Sequence, residues 1–301
     1  MTQRASPTAG PPTAVTCIIP THRRIEALMV AVESAQGQTL PPALVVVVDD
    51  TGSADVRARV ESATGPVPTL YVDGSGNDPK GASSSRNLGA TFATTPLLAF
   101  LDDDDRWEPG FLEACVERLR AADADLGIAW GTIEVGGQPG RRSWAMRAGI
   151  DAADCVALNP GMTGSNFVVR RSAFDAVGGF DAGLPVYNDL DFLVRSLRRG
   201  STYAVVEREL VVQNGDGQDH LSSRGPRRVA GIERYIDKHR DRPGSRDLRL
   251  LRRDLHLAHR HPAQPLRRRV FHFAMMWLHS SPHHVAQLLR ERFAAGGRSY
   301  A

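Results

Sequence analysis

The sequence predicts an α/β fold, in which a mostly parallel sheet is flanked by helices and followed by a helical, basic C-terminal extension. Through residue 122, short apolar runs rich in β-branched residues alternate with segments of helical periodicity. The run at residues 43–48 is apolar throughout, as expected of a parallel strand that is covered on both faces. Residues 221–301 are instead rich in arginine and space their leucines as amphipathic helices do.

The elements of the first half follow one another at the spacing of strand–helix–strand units. The apolar runs predict strands at residues 15–20, 43–48, 69–72 and 97–101. Helical periodicity predicts helices at residues 25–32, 56–62, 86–93 and 111–122, with a Gly/Ser-rich loop at 74–85. Right-handed crossovers join such strands into a parallel sheet.

The second half is less regular. Gly136-Gly137 indicates a hairpin, because paired glycines favour the turns that connect antiparallel strands. Strands are predicted at residues 165–169, 203–206 and 209–212, and a helix at 189–199. In the tail, leucines at positions 248, 251 and 255, and again at 285, 288 and 289, predict two or three amphipathic helices.

The composition is that of a folded globular protein. With 301 residues, 42% of them hydrophobic and 24% charged, wholesale disorder, collagen-like repeats and a disulfide scaffold are excluded. The longest apolar run, residues 43–48, is far shorter than a membrane-spanning helix. Residues 1–13 lack the apolar stretch of a secretory signal, so we interpret them as a disordered leader and expect a cytoplasmic protein. Cysteines 17, 115 and 155 have neither a disulfide nor a metal pattern and are interpreted as small buried residues.

Charge is distributed unevenly along the chain. Residues 221–301 hold 18 Lys/Arg and 6 Asp/Glu, a net +12, whereas residues 1–220 carry a net −9. Eight of the ten histidines also lie in the tail, which leaves only His22 and His220 in the acidic part. The two parts are therefore expected to do different jobs. Few aromatics and an acidic main part argue against a nucleic-acid-binding protein.

Two acidic clusters follow predicted strands. Asp49-Asp50 ends the second strand, and the run from Asp102 to Asp105 ends the fourth. Because the carboxyl ends of parallel strands open onto one crevice, both clusters are expected to face one site. Side chains alternate along an extended segment, so Asp102 and Asp104 would share a side and suit Mg²⁺ or Mn²⁺ with a diphosphate. The alternative is a solvated acidic loop that caps the next helix.

The sequence resembles family 2 nucleotide-sugar glycosyltransferases, which have the GT-A, Rossmann-like fold. Five motifs carry the resemblance, in the family's order and spacing: Ile18-Ile-Pro-Thr-His-Arg23, Val45-Val-Val-Val-Asp-Asp50, Ser85-Arg-Asn-Leu-Gly89, Ala99-Phe-Leu-Asp-Asp-Asp-Asp-Arg-Trp107 and Val177-Gly-Gly-Phe-Asp181. The resemblance covers roughly residues 14–240. It implies a catalytic domain at 14–220, with a nucleotide-binding half at 14–110 and an acceptor-binding half at 111–220, before the basic region at 221–301.

The resemblance also implies roles at the donor end of the site. Asp50 would bind the nucleotide base, with Pro20 and His22 lining the same pocket, although His22 stands where tyrosine is commoner. The run Asp102, Asp103 and Asp104 matches the DXD element of the family. Asp104 would coordinate the metal, while Asp102 and Asp103 would hold the ribose or complete the metal shell. An exposed loop histidine is the alternative for His22.

Further candidates are implied at the acceptor and diphosphate ends. Asp189 matches the catalytic base, with Asp191 as the fallback; alternatively, Asp189 is a first-turn helix residue behind Asn188 as N-cap. His220 would reach the metal or the diphosphate, or is a surface histidine. Arg86 would contact the diphosphate or organise the pocket, or forms a structural ion pair with Asp49 or Asp50.

The sequence thus predicts an inverting, metal-dependent glycosyltransferase that uses Mn²⁺ or Mg²⁺ and a nucleoside diphosphate sugar, with a UDP-sugar favoured. Its acceptor would be a glycan, a lipid-linked sugar or a small-molecule natural product. The alternatives are a nucleotide-sugar-binding domain without turnover and a phosphotransferase that uses Asp49 or Asp50 as nucleophile. The basic tail would dock on the inner membrane face, or pack on the catalytic domain or form a homodimer contact.

Overall fold

The computed structural model describes residues 13–142, 145–215, 225–240, 245–262 and 264–280. The chain divides into two compact units. Within the described residues, unit 1 runs to Cys155 and resumes from Asn159 to Gly215, and unit 2 holds Val156–Leu158 and the residues from Gly225 onward. Most of the predicted leader, the leucines at 285, 288 and 289, and His220 lie outside the described residues.

Unit 1 is an α/β structure. In the described residues its strands are β1 Val15–Thr21, β2 Leu44–Asp49, β3 Thr69–Asp73, β4 Leu97–Phe100, β5 Arg106–Trp107, β6 Leu126–Val135, β7 Gln138–Arg142, β8 Phe167–Arg170 and β9 Tyr203–Asn214. Its helices are α1 Ile25–Gln36, α2 Ala54–Glu61, α3 Ala82–Phe92, α4 Phe111–Ala121, α5 Ala152–Cys155, α6 Arg171–Ala176 and α7 Asn188–Arg198.

One sheet joins these strands in the order β3-β2-β1-β4-β8-β6-β9-β5, with β7 paired to β6. The first four strands are parallel to one another, and β6 is parallel to β9, whereas β8 runs antiparallel to both β4 and β6. Thr21 pairs with Asp49, and Asp49 pairs with Asp73, so β1, β2 and β3 end at the same edge. The predicted α/β fold with a mostly parallel sheet is confirmed.

The core of unit 1 lies between this sheet and its helices. Residues 45–48 are fully buried, which explains why their run is apolar without alternation. A second feature of the core is an aromatic cluster, in which Phe180 stacks on Phe192 with ring centroids 4.9 Å apart and meets Phe100 edge-on at 5.1 Å. Phe167 and Phe174 complete this cluster. The three cysteines are free and buried, as predicted.

Three elements test the predicted boundaries. The hairpin at Gly136-Gly137 is confirmed, and both glycines have positive φ angles of 60° and 70°, as the favoured two-residue turns require. The predicted loop 74–85 is wrong at its end, because α3 already begins at Ala82, after Gly81 with φ 126°. The two strands predicted at 203–206 and 209–212 are one strand, β9, whose register against β6 shifts around Trp130.

Unit 2 contains the helices α8 Pro226–His239, α9 Ser245–Ala258 and α10 Leu266–Leu278. Within it, the buried Tyr235 on α8 donates a hydrogen bond of 2.9 Å from its hydroxyl to the carbonyl oxygen of Val156. A helical C-terminal region was predicted, and the described part of the chain contains three such helices. None of the described helices combines the length and the apolar character needed to span a membrane.

Candidate active site

The aspartate run alternates between buried and accessible side chains. Asp103 and Asp105 are buried, while Asp102 and Asp104 are partly exposed. The run is a turn and not the expected extended segment, because the Asp105 N–H donates a hydrogen bond of 3.1 Å to the Asp102 carbonyl oxygen. The run follows β4 at the edge where β1 and β2 also end. The two accessible carboxylates therefore lie at the crevice that the carboxyl ends of the strands form.

The buried side chain of Asp105 holds the aspartate run in place. Its carboxylate accepts hydrogen bonds from the Ser165 hydroxyl at 2.6 Å and from the Asn214 backbone N–H at 3.2 Å. The same Ser165 hydroxyl accepts a hydrogen bond from the Asp102 backbone N–H at 3.0 Å. The backbone carbonyl of Ser165 accepts one from the Trp107 indole N–H at 2.7 Å. Burial raises the pKa of Asp105 well above its ordinary value. Asp105 is thus a positioning residue for the turn.

His22 joins the two acidic clusters. Its ring Nδ1 lies 2.5 Å from Asp50 Oδ1, while its backbone N–H donates to Asp103 Oδ2 at 3.1 Å. The Thr21 hydroxyl donates to the same Asp103 oxygen at 2.7 Å. Burial raises the pKa of Asp103 to about 6 despite these donors. Both clusters accordingly face one site, as predicted, and Pro20 lies at the end of β1 directly before Thr21.

The carboxylate of the neighbouring Asp49 is hydrogen-bonded mainly within the loop that follows β2. Its carboxylate accepts hydrogen bonds from Thr51, from the Ser53 backbone N–H and from the Tyr71 hydroxyl. The Ser53 hydroxyl then caps α2 by accepting the Val56 N–H. Asp49 therefore shapes the loop after β2, and Asp50 is the member of the pair that meets His22.

Arg86 connects the aspartate run to α7. Its guanidinium is buried, contacts the carboxylate of Asp102 and donates to Asn188 Oδ1 at 3.3 Å. It also lies over the Phe180 ring, 5.0 Å from the centroid. The alternative pairing of Arg86 with Asp49 or Asp50 is wrong, because the guanidinium projects toward Asp102. The N-cap of α7 is Tyr187, whose backbone lies in the left-handed region at φ 60°, and not Asn188. The side chain of Asn188 instead accepts the hydrogen bond from Arg86.

The two acids of α7 have different surroundings. Asp189 is partly exposed, and desolvation raises its pKa, while the Leu190 N–H and the charge of Arg86 act in the opposite direction. Asp191 is fully buried and accepts a hydrogen bond of 2.7 Å from Arg195. Arg195 in turn donates to the carbonyls of Val177 and Gly179. Asp191 is therefore engaged in fixing the loop before α7.

Arg24 is a site residue that the sequence analysis missed. Its guanidinium contacts the carboxylate of Asp104 and lies 3.4 Å from Asp103 Oδ1. The signal was present, because the basic pair Arg23-Arg24 follows β1 at the edge where the aspartates were expected. Ser165, which anchors the aspartate run, carried no comparable signal and lies 60 residues beyond Asp105.

The donor set suits a divalent cation of the Mg²⁺ type. Asp102 and Asp104 offer accessible carboxylate oxygens, which are the ligands that Mg²⁺ and Mn²⁺ prefer. Within the described ranges no three His, Cys, Asp or Glu side chains converge as a metal cage. Such a cation would thus be held by these one or two carboxylates, with the remaining ligands coming from phosphate and water. His220, the third predicted ligand, lies outside the described residues.

Gly164 gives a test of the Arg86–Asp102 pair. A Cβ at this position would lie 2.7 Å from Asp102 Oδ2 and closer still to Arg86 Nη2. We expect Gly164→Ala to separate the pair and to lower the free energy of unfolding by about 1.5–3 kcal/mol, the usual scale for a hydrogen bond to a charged group. Thermal denaturation measures the effect, and Gly76→Ala, which enters open space, is the matched control. Equal melting temperatures of the two variants would contradict the expectation.

The family model described as glycosyl transferase family 2 matches residues 16–178, more than half of the chain. The chain belongs to this family and is a nucleotide-sugar glycosyltransferase.

One relative in sequence is also named as a glycosyltransferase. The chain is 26% identical over 231 residues to the uncharacterized glycosyltransferase YwdF of Bacillus subtilis (strain 168), covering 75% of this chain and 84% of that protein.

Two solved structures show the same fold. S. aureus TarS 1-349 in complex with UDP-GlcNAc has a TM-score of 0.60 at 15% identity and covers 96% of this chain and 93% of its own. The mannosyltransferase PcManGT from Pyrobaculum calidifontis, in complex with GDP-Man and Mn²⁺, has a TM-score of 0.58 at 16% identity, with 95% and 83% covered. At these identities the likeness shows the fold alone, which is the predicted GT-A fold.

Proposed function

We propose that this glycosyltransferase inverts the configuration of the transferred sugar and depends on Mn²⁺ or Mg²⁺. Its donor is a nucleoside diphosphate sugar, with a UDP-sugar favoured, and its acceptor is a hydroxyl or amine of a glycan, lipid-linked sugar or natural product. The observation that carries the proposal is the pair of bridges at the site. His22 joins Asp50 to Asp103, and Arg86 joins Asp102 to Asn188, next to Asp189.

These contacts suggest where each part of the nucleotide-sugar donor would bind. Asp50 and His22 stand at the far end of β1 and β2, where a carboxylate and an imidazole can hold a nucleotide base by hydrogen bonding and stacking. Pro20 would line the same pocket. Asp102, Asp103 and Asp104 then follow toward α7, where the ribose and diphosphate would lie. The UDP-GlcNAc and GDP-Man complexes of the two proteins with this fold support a nucleotide-sugar donor.

Asp104 and Asp102 would hold the divalent cation. When bound, the cation neutralises the charge that develops on the leaving nucleoside diphosphate. The buried guanidinium of Arg86 adds positive charge on the same side, because it is held next to Asp102 by Asn188 and Phe180. The Mn²⁺ complex of PcManGT supports this choice of cation. His220 is retained as a further ligand candidate.

Asp189 is proposed as the general base. It is partly exposed and lies beside the residue that Arg86 contacts, so an acceptor hydroxyl could meet it across the crevice from the aspartate run. Its raised pKa makes the carboxylate a better proton acceptor than an ordinary aspartate. Asp191 is disfavoured for this role because its carboxylate is buried against Arg195.

Donor turnover tests the proposal directly. UDP-sugars and GDP-sugars are incubated with the protein and Mn²⁺, with and without EDTA, and nucleoside diphosphate release is followed. We expect slow donor hydrolysis without acceptor, faster release with an accepted hydroxyl compound, and loss of both with EDTA. The anomeric configuration of the product, read by NMR coupling constants, decides whether it is inverted. Donor binding without release under any condition would favour the alternative of a binding domain without turnover.

Arg24 leads to a separate prediction about metal binding. Its guanidinium neutralises Asp103 and Asp104, so it competes with a cation for Asp104. We expect Arg24→Gln to tighten Mn²⁺ binding without donor by about two- to fivefold, the scale of a partly exposed ion pair. Electron paramagnetic resonance titration of Mn²⁺ measures this affinity.

The control for Arg24 is its neighbour. Arg23→Gln removes the same charge from an exposed side chain one residue away. Weaker Mn²⁺ binding in Arg24→Gln, or an equal gain in both variants, would contradict direct competition at Asp104.

A further inference from the structure

The helix α10 carries a broad apolar face toward solvent. Four residues spaced by four, Leu266, Val270, Ala274 and Leu278, are all exposed, with exposed fractions of 71% for Leu266, 58% for Val270 and 72% for Leu278. Positions i, i+4, i+8 and i+12 lie along one side of a helix. Of the nine large hydrophobic residues that are exposed in the described part of the chain, five belong to α10. Single exposed apolar residues are ordinary, whereas a contiguous face marks an interaction surface.

The side of α10 that carries His272 packs on α9. His272 Nδ1 lies 2.9 Å from His256 Nδ1, and the His272 ring stacks on His259 with centroids 4.3 Å apart. His279, just beyond α10, stacks on His256. Burial lowers the pKa of His256 to about 4, so this imidazole is neutral at pH 7. A surface helix normally buries its apolar side and exposes its polar side. In α10, by contrast, no residue is buried and five large apolar side chains are exposed.

The charge on α10 indicates what covers this face. The first turn contains Arg267, Arg268 and Arg269, and the helix has no acidic residue. Residues 221–301 carry a net +12, so a second copy of this region would be repelled at close range. An apolar face with a cationic border, and with Trp277 partly exposed, matches an interfacial helix on an anionic lipid surface. With 13 residues, α10 is suited to lying in the plane of such a surface.

We propose that α10 docks the protein peripherally on an anionic membrane surface. Leu266, Val270 and Leu278 enter the region below the headgroups, and the first-turn arginines contact lipid phosphates. The proposal goes beyond the transferase activity, because it rests on unit 2 alone and requires no residue of the active site. It is therefore tested without substrate.

The experiment is flotation of the full-length protein with phosphatidylcholine vesicles that contain either no or about 30% phosphatidylglycerol. We expect binding only with phosphatidylglycerol, and release at about 0.5 M salt. Val270→Ser combined with Leu278→Ser should lower the bound fraction at least about tenfold, because the apolar contact is removed. Val30→Ser combined with Phe92→Ser removes exposed apolar area in unit 1 and should bind as the wild type does.

Three results would overturn the proposal. The wild type fails to float with phosphatidylglycerol vesicles, or the α10 variant floats as well as the unit 1 control. In the third, light scattering finds a dimer of the wild type that the α10 variant lacks, which assigns the face to a second copy. Circular dichroism confirms the helix content of each variant, and thermal denaturation confirms that each variant is folded.

Discussion

Replacement of Asp189 by asparagine is expected to lower kcat by about 10²–10⁴, the usual contribution of a positioned general base. The amide is nearly isosteric and can still accept the Leu190 N–H, so α7 should be retained. Donor affinity should change little, because the proposed role of Asp189 is toward the acceptor and not the donor. Steady-state kinetics for turnover and calorimetry for UDP-sugar binding measure the two effects separately.

Asp191→Asn is the matched control for that prediction. Asp191 is fully buried in contact with Arg195, and removal of one partner from a buried ion pair typically costs about 3–5 kcal/mol of unfolding free energy. We therefore expect a lower melting temperature in Asp191→Asn, with turnover per folded molecule largely kept. A stable, slow Asp191→Asn beside an active Asp189→Asn would reverse the two roles.

The pH dependence of kcat is a second test of Asp189 as the general base. Its pKa is raised by desolvation, so the carboxylate loses its charge at a higher pH than an ordinary aspartate does. A general base must be deprotonated, so turnover should fall as pH decreases through this raised pKa. We expect the acidic limb of kcat above the ordinary aspartate range. A flat profile down to that range would contradict the assignment.

Asp104→Asn is expected to remove metal-dependent UDP binding. The substitution takes away the accessible carboxylate that is proposed to hold the cation, while the buried Asp103 and Asp105 keep their hydrogen bonds. Stability should change little, because Asp104 adds repulsion within an acidic run and its contact with Arg24 is partly exposed. Calorimetry with UDP, with Mn²⁺ and with EDTA, measures the loss.

Asp55→Asn, at an exposed position in the first turn of α2, controls for the loss of one negative charge. If Asp104→Asn binds UDP with Mn²⁺ as tightly as Asp55→Asn does, Asp104 does not hold the metal.

The site residues that could be predicted from the sequence are those that directly follow a strand. Asp50 and the run after β4 follow apolar strands that are buried on both sides, and parallel strands bring their carboxyl ends together regardless of loop detail. The partners of Arg86 were not predictable, because Asp102 and Asn188 are separated from it by 16 and 102 residues and meet it through tertiary packing. Helix α3 begins inside a Gly/Ser-rich stretch, and its Gly89 lies so close to the sheet that a Cβ there would be 2.5 Å from Ile18 Cγ2, a tertiary contact that local sequence does not reveal.

The aromatic cluster of the core has a consequence for the divergence of such enzymes. Phe100 ends the strand that leads into the aspartate run, and Phe192 follows Asp191 on α7, so one packed cluster positions both sides of the crevice. A relative that keeps this cluster is therefore expected to keep the spacing between the aspartate run and Asp189. Conversely, substitutions at Phe180, which contacts both rings, should slow transfer to every acceptor alike.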